Sequence, residues 1–138
     1  KFFPMVPHEG FSVGWHQDNH YIKADPSQLI SCDVFVNGTD KENGCLRIAP
    51  NTHTKKFLHD NRSHEHFYWM SVDDEDPTII DIEQDSIFAV FFHPNLVHSC
   101  YKNTSDRYRY SIAWEYIKEE HIPRTHNNHQ SQDRFPVK

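Results

Sequence analysis

The chain has no run of 18 apolar residues, so it offers no candidate membrane-crossing helix. No signal-peptide pattern opens it either, and a cytoplasmic location is expected. Lysine and arginine total 14 against 20 aspartates and glutamates, a net charge of −6, and the basic residues are scattered. Nucleic acid needs clustered cations along its phosphates, so it is excluded as a partner; an acyl-CoA thioester is disfavoured on the same ground. Only three cysteines occur, Cys32, Cys45 and Cys100, with no Cys-x-x-Cys spacing. That pattern fits reduced thiols rather than a disulfide scaffold. In that setting the Asn-x-Ser/Thr triplets at Asn37, Asn61 and Asn103 carry no glycan. Internal repeats and a helical apolar stripe are also absent. The first residue is Lys1 rather than Met, and a longer natural N-terminus is expected.

What the chain does have is aromatic mass and histidine. Aromatic residues make up 14 % of 138 residues and histidine numbers 12, while the apolar total is only 36 % and the mean hydropathy −0.81. Large aromatic side chains can supply one core for a single domain of this length. The dominant pattern is period two, the signature of strands. In "QLISCDVFVN" (28–37), Ile30, Cys32, Val34 and Val36 share a face. Further strands are expected in 45–50, 66–72, 77–82, 86–92, 96–102 and 107–117. The turn "NGTDKENG" places Gly38 and Gly44 where positive φ is needed, and "DDEDP" (73–77) reads as a solvated turn. The expected architecture is all-β, a sandwich, jelly roll or barrel over residues 1–117, followed by a polar tail over 118–138.

The stretch "GWHQDNHY" (14–21) holds His16-x-Asp18. With twelve histidines and twelve aspartates, chance placement gives about one such pair, so the pair alone says little. His16 and Asp18 project from one face of a strand and can converge on a cation if the strand end curls. A third ligand must then come from another strand. His98, in "FFHPNLVHSCYKNTSDRYRY", is the candidate. If Asn103–Asp106 closes a hairpin, His98, Cys100, Arg109 and Ser111 share a face. Arg109 would then sit about 7 Å beyond His98. A buried guanidinium needs a carboxylate or phosphate partner, and a five-carbon dicarboxylic acid could bridge the gap.

Four fragments, "WHQDNHY", "DPSQLISC", "NGCLRIAPNTH" and "QDSIFAVFFHPNLVHSCYKNTSDRYR", resemble, in order, the phytanoyl-CoA dioxygenase family of Fe(II)- and 2-oxoglutarate-dependent oxygenases. The separation of 11 between His98 and Arg109 is the family's. The resemblance implies a double-stranded β-helix, the cupin-like jelly roll, lacking most of the family's N-terminal helical segment. It implies iron on His16, Asp18 and His98, and Arg109 on the distal carboxylate of 2-oxoglutarate. Gln17 and Cys100 would line the cosubstrate pocket, and Ser111 is placed with them. Cys100 stands where the family usually has Ser, Asn51 replaces a common Gly after Pro50, and Gln84 replaces one before Asp85.

The activity so implied is hydroxylation of a small organic molecule by O2, with 2-oxoglutarate decarboxylated to succinate and CO2 and ascorbate as a candidate reductant. Related halogenases carry a small residue at the position of Asp18, so a carboxylate there favours hydroxylation. The rivals are a non-enzymatic jelly-roll module and a cupin-like zinc or manganese isomerase or lyase. Arg107 is expected at the surface, Trp15 and Trp69 in the core. His64, His66, His121, His126 and His129 lack a third ligand or zinc-site spacing and read as solvated. The aromatic row Tyr108, Tyr110, Ile112, Trp114 and Tyr116 needs a cover, which the tail, missing residues or a second copy of the chain would supply.

Overall fold

Period-two segments became strands where the sequence places them. The computed structural model describes residues 1–8, 12–55, 72–121 and 137. Eight strands are present among them: β1 Phe2–Met5, β2 Val13–His16, β3 Leu29–Phe35, β4 Leu46–Ala49, β5 Ile80–Ile82, β6 Phe88–Phe92, β7 Val97–Cys100 and β8 Arg109–Ile117. One short helix, α1, spans Asn19–Ile22. The expected strand over 66–71, with Trp69, and His64, His126 and His129 lie outside the described residues. No described helix is long and apolar enough to cross a membrane.

The strands form two antiparallel four-stranded sheets, ordered β1-β8-β3-β6 and β2-β7-β4-β5. Together they make the double-stranded β-helix. The 97–100 and 109–117 segments do not form the expected hairpin. β7 pairs with β2 and β4, whereas β8 pairs with β1 and β3 in the other sheet. The connection is a corner. Asn103, fully buried, donates through Nδ2 to the Met5 and Arg107 carbonyls, 3.0 and 2.6 Å, and folds the chain from one sheet to the other. The same burial leaves no room for a glycan on Asn103.

Strand alternation then assigns faces. Across the interior, Phe35 stacks on Phe88 with centroids 4.7 Å apart, and Leu46 is fully buried. On the outer face of the second sheet, Trp15, Ala49 and Val97 form a separate core cluster covered by Val72 and Ile79. Arg47 lies on that outer face between the Trp15 and Tyr101 rings and bonds Asp74 at 2.6 Å. The acidic turn is therefore solvated apart from this one anchored aspartate. Ile30 and Val36, from the apolar row of the 28–37 segment, are 40 % and 42 % exposed and face outward from the first sheet. The aromatic row of β8 also faces outward, and β1 covers part of it, with Phe2 stacked on Tyr110.

Of the two turn glycines, only Gly44 takes positive φ, at 95°. Gly38 is needed for a different reason: a Cβ there would sit 3.0 Å from the Asp85 carbonyl oxygen. Asn51, at φ 63°, does occupy the left-handed region expected of it.

Candidate active site

His16 reaches the site through an irregularity in β2. Val13 pairs with Cys100, but His16 pairs with His98, so one extra residue is inserted between them. A regular ladder would have set Trp15 opposite His98. The bulge turns Trp15 to the outer core and sets the two histidines side by side on the inner face. Their ring centroids are 4.1 Å apart.

The strand end also curls, as the ligand geometry requires. Asp18 adopts a helical conformation as the N-cap of α1 and brings its carboxylate back beneath both rings. Asp18 Oδ1 lies 3.5 Å from His16 Nε2 and 3.6 Å from His98 Nε2. One ligand atom from each of the three residues falls within 4.8 Å of the others.

Backbone carbonyls fix the protons. His16 Nδ1–H donates to the Gly14 carbonyl at 2.8 Å, and His98 Nδ1–H donates to Leu96 at 2.9 Å. Both Nε2 lone pairs therefore face the centre. The second oxygen of Asp18 accepts from Ser31 Oγ at 2.6 Å. Burial alone would raise the Asp18 carboxyl, but His98, His16 and Ser31 outweigh it and hold it well below the usual carboxylate range. Burial and the neighbouring His16 push His98 down to about 4, against a smaller pull from Asp18. For His16, burial lowers the value, but Asp18 more than offsets it and the net shift is upward. Two imidazoles and a carboxylate, sharing one side of a buried point, fit a divalent iron centre with open positions.

Across the interior, Arg109 is 2 % exposed. Its Nη1 donates to Ser111 Oγ at 2.6 Å, its guanidinium lies 5.3 Å from the centre of the Phe35 ring, and the Cys100 thiol is close enough to feel its charge. Its Nε has no partner, and among the described residues no carboxylate pairs with it. A buried, unpaired guanidinium is costly to leave alone, and an anionic ligand is the group it lacks. Arg109, Ser111 and Cys100 are thus brought together, from two sheets rather than one hairpin. Gln17 is also buried. Its Nε2 donates to the Lys55 and Asn95 carbonyls, at 2.8 and 2.6 Å, bracing the loops behind the ligand corner. Ser31, which the residue pattern did not single out, holds the Asp18 carboxylate from behind. The available signal was the polar row of "LISCDVF", Ser31 and Asp33, breaking an otherwise apolar strand.

A family model described as phytanoyl-CoA dioxygenase matches residues 1–111, which includes every one of these side chains. The chain belongs to the phytanoyl-CoA dioxygenase family. The peroxisomal phytanoyl-CoA dioxygenase of Mus musculus is 30 % identical over 109 residues, covering 71 % of this chain and 31 % of the mouse protein. That of Bos taurus is 31 % identical over 105 residues, with the same coverage of each. The chain therefore spans about a third of the length of these curated relatives. Among solved structures, the non-heme monooxygenase ThoJ in its apo form superposes with a TM-score of 0.70 at 25 % identity, over 85 % of this chain and 44 % of ThoJ. EctD from S. alaskensis, solved with 2-oxoglutarate and 5-hydroxyectoine, superposes at 0.65 and 17 % identity, over 87 % and 43 %. The latter likeness is one of fold.

Proposed function

We propose that the protein is an Fe(II)- and 2-oxoglutarate-dependent oxygenase that hydroxylates a small organic molecule. The observation that carries this reading is the convergence of His16, Asp18 and His98 opposite a buried Arg109 that no carboxylate among the described residues pairs. His16 Nε2, His98 Nε2 and one Asp18 oxygen would hold the iron. With 2-oxoglutarate and dioxygen bound, the metal supplies the oxidising chemistry that decarboxylates the keto acid to succinate and CO2.

The chain's own part is positioning and exclusion of water. Ser31 fixes the Asp18 carboxylate, and the Gly14 and Leu96 carbonyls fix both rings. Arg109, steadied by Ser111 and Cys100, would take the distal carboxylate in a bidentate pair. Phe92, edge-on to His98 at 4.8 Å, and the Phe35–Phe88 stack keep the floor dry.

Succinate release from 2-oxoglutarate, measured with Fe(II), ascorbate and a panel of small organic substrates, tests the reading. Turnover that depends on iron and is lost in His98→Ala supports it. Failure of the chain to bind either Fe(II) or 2-oxoglutarate would refute it and favour a non-enzymatic module.

A further inference from the structure

The inner row of β3 runs from Ser31, which holds the Asp18 carboxylate, to Phe35, which lies under the Arg109 guanidinium. Asp33 sits between them on the same face, about 7 Å along the strand from each. Its ladder partners, Val90 on β6 and Ala113 on β8, offer no polar side chain. Among the described residues its carboxyl has neither a hydrogen bond nor an ion pair. Asp18 and His16 at one end and Arg109 at the other all act on its charge, so it faces the space that a dicarboxylate held between them would occupy.

Resting on the cosubstrate reading above, we propose that Asp33 is a cosubstrate-binding residue: it meets the dicarboxylate as the protonated acid, donates a hydrogen bond to it, and makes its binding take up a proton. An ionised Asp33 in that position would repel a dianion at close range in a partly buried site. The charged groups facing it are Arg109 and Glu115 from β8, His16 and Asp18 from the β2–α1 corner, and the Cys100 thiol from β7. β6 presents Phe88, Val90 and Phe92, none of which titrates. Burial, then repulsion from Asp18, push the Asp33 carboxyl up to about 7, with Arg109 pulling the other way. With a cation on the triad the push from Asp18 is relieved and burial remains to favour the acid, so cosubstrate affinity should fall as pH rises through the Asp33 titration.

Calorimetric titration of 2-oxoglutarate into the Mn(II)-loaded chain tests this, run from pH 6 to pH 8.5 in buffers of differing protonation enthalpy. For the unaltered chain, Kd should weaken about tenfold per pH unit on the alkaline side, with uptake of about one proton. Asp33→Asn keeps a donor but cannot ionise. It should bind as tightly as the unaltered chain at pH 6, with the alkaline slope and the proton uptake both removed. Asp33→Ala should also lose the slope, but bind about tenfold more weakly at pH 6. Mn(II) affinity and Tm, measured on each variant, report folding and triad integrity. An Asp33→Asn protein that keeps the full slope and proton uptake overturns the role of Asp33 and leaves the cosubstrate reading standing. A chain that takes Mn(II) yet binds no 2-oxoglutarate at any pH overturns both.

Discussion

Ser31→Ala removes a single hydroxyl from the ligand set and offers a direct reading of how the site is built. Ser31 is almost fully buried and gives its proton to Asp18 Oδ2 at 2.6 Å, leaving Oδ1 to face the two Nε2 atoms. Without it, the carboxylate loses the contact that chooses which oxygen points at the metal. Hydrogen bonds to a charged group contribute about 1.5–3 kcal/mol. Outer contacts to metal ligands change affinity by about 10–100-fold. The Asp18 environment decides where in that range the effect falls. Burial, His98 and His16 each act on the carboxyl more strongly than Ser31 does. The lower end is therefore expected, about tenfold weaker metal binding or about 1.4 kcal/mol.

Anaerobic titration with Fe(II) against a chelator of known affinity measures it, with Mn(II) as a second probe. Ser31→Thr keeps the hydroxyl and should stay within about threefold of the unaltered chain. The apo Tm should change little in either variant, because the cavity left by one buried hydroxyl is small. If Ser31→Ala binds metal as tightly as the unaltered chain while folding normally, the bond at 2.6 Å does not orient the ligand and the argument fails.

Arg109→Met keeps most of the volume and removes the charge; 2-oxoglutarate binding to the Mn(II)-loaded chain should weaken about 100-fold, with Mn(II) affinity unchanged, by calorimetry. Arg47→Met should cost about 2 kcal/mol in urea unfolding, through loss of the Asp74 pair and of the contacts with Trp15 and Tyr101, while leaving metal binding intact. Gly44→Ala places a Cβ 2.9 Å from the Tyr101 carbonyl oxygen at a φ of 95°, and about 2 kcal/mol of destabilisation is expected by the same assay. Burial, reinforced by nearby acidic groups, pushes the Cys45 thiol up to about 12, and burial raises Cys32 and Cys100 as well. Ellman's reagent at pH 8 should therefore label the folded chain slowly and all three thiols at once in denaturant; fast labelling of the native protein would contradict this.

Much of this site could be read from the residues, though not always for the right reason. His16, Asp18 and His98 do come together and Arg109 is buried in the same interior, and the order of the fragments carried that reading. The hairpin that first linked His98 to Arg109 does not exist. A separation of 11 residues with a polar Asn-Thr-Ser-Asp loop fits a tight hairpin and a sheet-to-sheet corner equally well. What decides between them is where the Asn103 side chain bonds, and its partner Met5 is nearly a hundred residues away. The bulge in β2 was equally hidden. Nothing in "VGWH" says that Trp15 rather than His16 will turn outward until β7 supplies the register.

The apolar row of β3 shows a more general limit. Alternation correctly located the strand, and Ile30, Cys32 and Val34 do share a face, yet the row turned to the interior is Leu29, Ser31, Asp33 and Phe35. In most two-layer folds the apolar row faces in. On the proposed function the interior would hold a metal and an anion, and polar side chains sit between the sheets. Hydrophobic burial is provided at the floor of the barrel, by Phe35 and Leu46, and outside the second sheet, by Trp15, Ala49 and Val97. A polar residue at an inward position of such a strand is costly unless something answers it, and Ser31 is answered by Asp18. Among the described residues no group hydrogen-bonds or ion-pairs with Asp33, the other inward polar side chain on β3, which is why the ligand is the place to look for its partner.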